Sequence, residues 1–375
     1  MQALHEKLSD CLHLDFAVIQ WRKPSKGNAS MSKEFLYTLL DSMSVSGHEI
    51  PLQKKVIEHM KPFCDEIRTD YTGNVISILN PEAPFKVLLA AHIDEVGLVV
   101  TQVREDGMLH VTTSGGPRIG IYPGHQVMVY GKEGAYCGTV VYTKELCKAD
   151  LKAEELVIDI GAKDEADARK YVKEGCPVHP HSYHAEMLNG YLSARGIDDR
   201  GCAYIILEAL KRAKERGCEI GVYAVTTVGE ETNGRGAYWA GARVQPDVAV
   251  AVDVTYANDY PGTNGKTSGT VKLGKGPVLC NGPFGTPKIQ ALLEDCAGED
   301  IPLQVETSTE RTYTDADKLH MSGLGVPAAL ISLPLRYMHC PSEVCALSDV
   351  ENIIELLARF LCTINEGTNL DPFCE

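Results

Sequence analysis

The chain has 375 residues, 44% of them hydrophobic and 23% charged, an ordinary globular balance in a length that usually exceeds one core, so two domains are expected. A formal net charge of −15 repels phosphate backbones and argues against a nucleic-acid partner. The 13 cysteines form no C-x-x-C pair and read as reduced thiols of a cytoplasmic protein; no apolar run reaches the ~18 residues of a membrane span, and no signal peptide opens the chain, so no membrane partner is expected.

Residues 1–31 read as an N-terminal extension. "LHEKLSDCLHLDFAVIQW" has the pattern of a short amphipathic helix, and "WRKPSKGNASMSKE" is a breaker-rich linker. Regular patterning begins at Glu34. "KEFLYTLLDSMS" and "LQKKVIEHMKPFC" predict helices, and "NVISILN" and "KVLLAAHID" predict strands. From 101 to 188 the texture changes. "GMLHVTTSGG", "HQVMVYG", "AYCGTVVYT" and "ELVIDIG" are short strands between Gly-containing turns, with "DEADARKYV" the one helical stretch, the pattern of a small β-barrel or sandwich inserted in a larger unit.

The larger unit spans 32–100 and 189–375. Past Asp198, "RGCAYIILEALKRAKERG" is an amphipathic helix ended by Gly217, "IGVYAVTTV" a strand, "TNGRGAYWAGA" a helix start and "DVAVAVDVT" a buried strand. "TPKIQALLEDCAGE" is helical, "PAALISLPL" is a strand, and "LSDVENIIELLARFLCTI" closes the chain as a helix with Ser348 as its N-cap. Strands alternating with helices predict an α/β/α sandwich around a largely parallel sheet.

In such sheets, ligands bind beyond the carboxyl ends of the strands. Five segments carry acids or histidines there: His92 and Asp94 after one strand, Asp198–Asp199 at a helix start, Glu230–Glu231 after another strand, Asp253 near the end of a third, and His339 after a fourth. Taken singly, each has an ordinary reading as a cap, a turn residue or a structural histidine. Together they are the ligand supply for a pair of first-row divalent metals, which need a carboxylate able to bridge them. His179, His181 and His184 read instead as solvent-facing loop residues.

The segments "AAHIDEVG", "GIDDRGC", "VGEETNGRGA", "VDVT", "TDAD" and "PLRYMHCPSE" closely resemble the dinuclear metallo-aminopeptidases of peptidase family 42, the glutamyl or tetrahedral aminopeptidases, from about Phe35 to Cys362. The resemblance implies metal ligands His92, Asp198 (bridging), Glu231, Asp253 and His339. It implies Glu230 as general base, Asp94 as the residue orienting His92, and a cis peptide bond between Asp198 and Asp199. It also implies that the inserted β module at 101–188 mediates dimers and that dimers assemble into a tetrahedral dodecamer. Cys340 and Ser342 depart from the family's usual residues, as does the stretch before "TDAD", which bears on substrate preference more than on metal binding.

The expected activity is removal of N-terminal residues from peptides. Two divalent ions, zinc or cobalt with manganese as a third choice, would activate a water, and Glu230 would take its proton and pass it to the leaving amine. A related dinuclear carboxypeptidase or amidohydrolase is the nearest alternative. A glycosidase would leave the histidines without a role, and a non-catalytic metal-binding scaffold is the reading from a different class. Arg118, Arg311 and Lys318 are candidates for an acid-preferring pocket.

Overall fold

The computed structural model describes residues 33–374 together with Val18 and Ile19. In chain order the elements are β1 (Val18–Ile19), α1 (Lys33–Asp41), α2 (Ile50–Met60), β2 (Glu66–Thr69), β3 (Val75–Leu79) and β4 (Lys86–His92). There follow β5 (Gly97–Val103), β6 (Leu109–Ser114), β7 (Gln126–Tyr130), β8 (Ala135–Val140), β9 (Val157–Asp159), α3 (Glu165–Tyr171) and β10 (Pro177–Pro180). The return segment holds β11 (Ala185–Glu186), β12 (Tyr191–Ala194), α4 (Ile197–Glu215), β13 (Gly221–Thr227), α5 (Arg235–Val244) and β14 (Val248–Tyr256). It ends with β15 (Val278–Asn281), α6 (Pro287–Ala297), β16 (Gln304–Thr307), α7 (Ala316–Leu319), β17 (Ala328–Leu335), β18 (Glu343–Ala346) and α8 (Leu347–Thr363).

The central sheet has nine strands in the order β1-β2-β3-β13-β4-β14-β17-β15-β16. Its middle is parallel, β13 with β4, β4 with β14 and β14 with β17, and it is flanked by antiparallel pairings at β3 and β15. These middle strands are near-continuous apolar runs because both faces are covered. Alternate residues serve different cores. Val87, Leu89, Val222, Ala224, Val250, Val252 and Ile331 join the cluster under α1, α4 and α8, while Leu88, Ala90, Tyr223, Val225, Ala249, Ala251 and Leu330 join the one under α5 and α7. The second face is rich in alanine, and α5 sits close on it. A Cβ on Gly236 would lie 2.4 Å from the Val228 backbone nitrogen, so only glycine admits that approach.

Strands β10-β5-β6-β9-β8-β7 close into a barrel with its own apolar core, including Leu98, Val111, Val127, Val129 and Ile158. The barrel strands thus run from Gly97 to Pro180, and β11, β12 and β18 form a separate three-stranded sheet.

Several expectations are corrected. Ser348 is not the N-cap of α8. The helix starts at Leu347 with Ala346 in the cap position and no side-chain cap, because the apolar strand β18 runs straight into it. His179 is buried rather than solvent-facing; it sits on β10 and bonds Tyr130 Oη at 3.0 Å. The short helix expected over the N-terminal extension lies outside the described residues except at Val18–Ile19, which is strand and pairs antiparallel with Ile67 and Arg68. Among the described residues no helix is long and apolar enough to cross a membrane.

Candidate active site

The sheet brings the five segments to one end. His92 is the last residue of β4 and pairs in register with Thr227, the last residue of β13, three positions before Glu230. Asp253 lies on the adjacent β14, opposite Ser332 of β17. His92 continues the face of Leu88 and Ala90, and Asp253 that of Ala249 and Ala251, so period-2 alternation sends both to one side of the sheet.

Two glycines make the close turns. Gly229 (φ +70) follows β13 and turns the chain so that the backbone N–H groups of Glu230 and Glu231 donate to Asp94 Oδ1 and Oδ2 at 3.1 and 3.3 Å. Gly196 (φ +59) precedes α4, and a Cβ there would overlap the guanidinium of Arg200. That guanidinium and Arg195 enclose the buried Glu95, whose carboxylate also accepts the Ser44 N–H at 3.2 Å. Burial opposes the charge on Glu95, but the two arginines outweigh it and bring its pKa down to about 2. This buried triad braces the loop that leads into Asp198. The Asp198–Asp199 peptide bond is cis, as the resemblance implies.

Asp198 faces both histidines. His92 Nε2 lies 3.2 Å from its Oδ1, and His339 Nε2 lies 3.2 Å from its Oδ2. Glu231 Oε2 is 3.6 Å from His339 Nε2, and Glu230 Oε2 is 3.9 Å from His92 Nε2. Each imidazole donates its other ring proton to a backbone carbonyl: His92 Nδ1 to Asp94 O at 3.0 Å and His339 Nδ1 to Gly116 O at 2.9 Å. Those donations turn each Nε2 towards the acids, where a bound metal would take its lone pair.

The residues fit a metal centre. Donor atoms of His92, Asp198 and Glu231 lie within 4.8 Å of one another, as do those of His92, Asp199 and Asp253. Ligands ~2.0–2.1 Å from one tetrahedral ion lie about 3.3 Å apart, close to the separations seen here. Glu231 Oε1 and Asp199 Oδ1 are buried without a hydrogen-bond partner, a costly arrangement for carboxylates unless a cation meets them. Burial first, then mutual repulsion, pushes Glu231, Asp253 and Asp199 well above the usual carboxylate range, and Glu230 up to about 9. Without a cation, the protein alone therefore disfavours the ionised form of these acids.

The structure brings together all seven residues picked out from the sequence: His92, Asp94, Asp198, Glu230, Glu231, Asp253 and His339. It also gives places to acids that stand in the quoted segments without an assigned role. Buried Glu343 accepts the His339 N–H on Oε1 at 2.8 Å and the Asp198 N–H on Oε2 at 3.2 Å. Asp199 Oδ2 accepts the His92 N–H at 3.2 Å, and buried Asp315 of the quoted "TDAD" accepts from Thr227 Oγ1. The available signal was an acid inside an apolar strand start, "SEVCA", where solvation cannot explain it. His179, His181 and His184 take no part in a metal-competent cluster among the described residues. Arg311 and Lys318 line a neighbouring cavity of about 470 Å³. The cavity over the cluster itself is about 540 Å³.

An α/β/α sandwich with an inserted barrel and this cluster at its strand ends defines the class, and residues 73–356 match the M42 glutamyl aminopeptidase family. The chain belongs to that family of aminopeptidases. It is 32% identical to the lysyl aminopeptidase of Pyrococcus furiosus, over 88% of this chain and 96% of that one. It resembles the TET aminopeptidase of the archaeon Thaumarchaeota archaeon SCGC AB-539-E09 at TM-score 0.83 and 31% identity, covering 89% of this chain and 96% of the other. It also resembles the TET1 peptidase of Pyrococcus horikoshii, which assembles into a tetrahedron or a large octahedral shell, at TM-score 0.77 and 26% identity over 89% of this chain and 100% of that one.

Proposed function

We propose that this chain is a two-metal aminopeptidase in which Glu230 is the general base. The observation that carries this reading is the pair of 3.2 Å approaches from the two oxygens of Asp198 to two different imidazoles, His92 and His339. His92 and Asp253 would hold one ion, His339 and Glu231 the other, with Asp198 shared. Asp199 is a further donor beside His92 and Asp253. Bound divalent ions, zinc or cobalt first, would supply Lewis acidity that makes water ionisable near neutral pH and polarises a carbonyl.

The chain's own residues do the rest. Glu230 reaches into the cavity without belonging to either donor cluster, so it is free to take a proton from water and return it to the departing amine. Asp94 holds the Glu230–Glu231 turn and, through its own carbonyl, the tautomer of His92. Glu343 and Gly116 hold His339. The acidic lining suits the α-ammonium of a peptide's free N-terminus.

Residues 101–188 would supply dimer contacts, and dimers would build a tetrahedral dodecamer like the shells of the TET1 relative. The test of activity uses three peptides: one free at both ends, one N-acetylated and one C-terminally amidated. The first and third should be shortened from the N-terminus and the acetylated one spared. Cleavage that requires a free C-terminal carboxylate would replace this reading with a carboxypeptidase.

A further inference from the structure

The cavity over the cluster extends past the acids already assigned, across the ends of β14 and β17, to β16. There it meets Glu306, which pairs in register with Cys280 of β15. Glu306 accepts hydrogen bonds from Thr255 Oγ1 and, at 3.3 Å, from Ser332 Oγ. Both hydroxyls lie beside the proposed metal ligand Asp253: Ser332 is its in-register neighbour on β17, and Thr255 is two residues further along the same face of β14. We propose that Glu306 is the floor of a side-chain subsite that selects a cationic N-terminal residue, lysine or arginine; the proposal rests on the aminopeptidase reading above.

Three observations point the same way. The first is charge. No Lys or Arg is among the described residues lining this cavity, and none lies within ion-pair distance of Glu306. Of the sequence candidates for an acid-preferring pocket, Arg311 and Lys318 line the neighbouring cavity, and Arg118 donates to Tyr256 Oη at 3.3 Å. An N-terminal glutamate or aspartate would therefore meet like charge.

The second is hydrogen-bond inventory. Thr255 and Ser332 spend their protons on Glu306, so this corner presents oxygen lone pairs and suits a donor-only ammonium or guanidinium group. With Thr255, Ser332 and the Cys280 thiol as donors, the two carboxylate oxygens still have lone-pair capacity for a ligand.

The third is reach. Residues two apart on a strand are ~6.6 Å apart, which sets Thr255 that far beyond Asp253. The five staggered single bonds from a lysine Cα to its Nζ span about 6 Å. A lysine side chain is thus about as long as the step from Asp253 to Thr255, whose hydroxyl holds Glu306.

The test measures kcat/KM of the metal-loaded enzyme on the p-nitroanilides of lysine, arginine, norleucine and glutamate, in wild type and in Glu306→Gln. Norleucine matches the length of lysine without its charge. Wild type should favour lysine and arginine over norleucine by about tenfold or more, with glutamate poorest. Glu306→Gln should lower kcat/KM on lysine by ~10–10²-fold and change norleucine by less than about threefold. Norleucine matching or exceeding lysine in wild type overturns the subsite, and so does a uniform loss across all four in a variant whose thermal unfolding and metal content match wild type. The wild-type ratio decides even if the variant misfolds. Hydrolysis of norleucine without a lysine preference removes the subsite and leaves the aminopeptidase reading; hydrolysis of none of the four with metal present removes both.

Discussion

The backbone N–H of Asp198 donates to Glu343 Oε2 at 3.2 Å, across 145 positions of sequence. The other oxygen of Glu343 takes the N–H of His339, so one buried carboxylate fixes two proposed ligands on different elements. Glu343→Gln keeps the volume but presents an amide NH₂ to one of those donors. Metal affinity should fall 10–100-fold, the usual cost of losing a group that orients ligands. Isothermal titration with zinc measures it. An unchanged affinity would make Glu343 a packing residue.

Glu230 and Glu231 are neighbours with different surroundings, and they should fail differently. Glu230→Gln should keep its metals and lose ~10²–10⁴ in kcat with KM little changed. Glu231→Gln should lose metal, and added metal should restore part of its activity. Metal analysis beside steady-state kinetics separates the two. If Glu230→Gln loses metal as Glu231→Gln does, Glu230 is a ligand and not the base.

Glu95 ties Arg195 and Arg200 to the loop before Asp198. Removing its charge strands two buried guanidinium groups, so Glu95→Gln should cost roughly 3–5 kcal/mol at pH 7 in denaturant unfolding. The folded-state pKa is depressed to about 2. The ionised carboxylate therefore contributes stability above the unfolded value of ~4.3, and the contribution is lost as pH falls towards about 2. The gap between wild type and variant should therefore narrow over that window. A gap independent of pH would show that the charge is not what stabilises the loop.

The Val228 backbone and Asn74 Oδ1 leave no room for a Cβ at Gly236 on α5. Gly236→Ala should lower stability by about 1–3 kcal/mol through overpacking, read as a lower Tm. A neutral or stabilising effect would mean that the helix shifts freely.

Much of this was legible in the sequence because it rests on short-range pattern. The apolar runs of β4, β13, β14 and β17 announce strands covered on both faces, and the alternating run from 107 to 161 announces the barrel. The acids at strand ends stood out because apolar strands have no other use for them. What was illegible depends on partners distant in the chain. β16 ("QVET") is short and carries charge, so nothing local marks it as a sheet member. Glu343 and Glu306 gain meaning only beside Asp198, His339, Thr255 and Ser332. Gly116 contributes a backbone carbonyl, which its side-chain identity could never reveal. Ser348 had the right chemistry for a cap but sits one residue inside a helix that begins at the end of a strand.

The most direct measurement of the central claim is a metal titration of the stripped protein, with bound ions per chain and aminoacyl-anilide hydrolysis followed together. The account predicts no hydrolysis in the stripped protein, binding that saturates at two ions per chain, and activity that returns with zinc or cobalt as the sites fill. Full hydrolysis after complete chelation, or saturation at one ion with full activity, would contradict it.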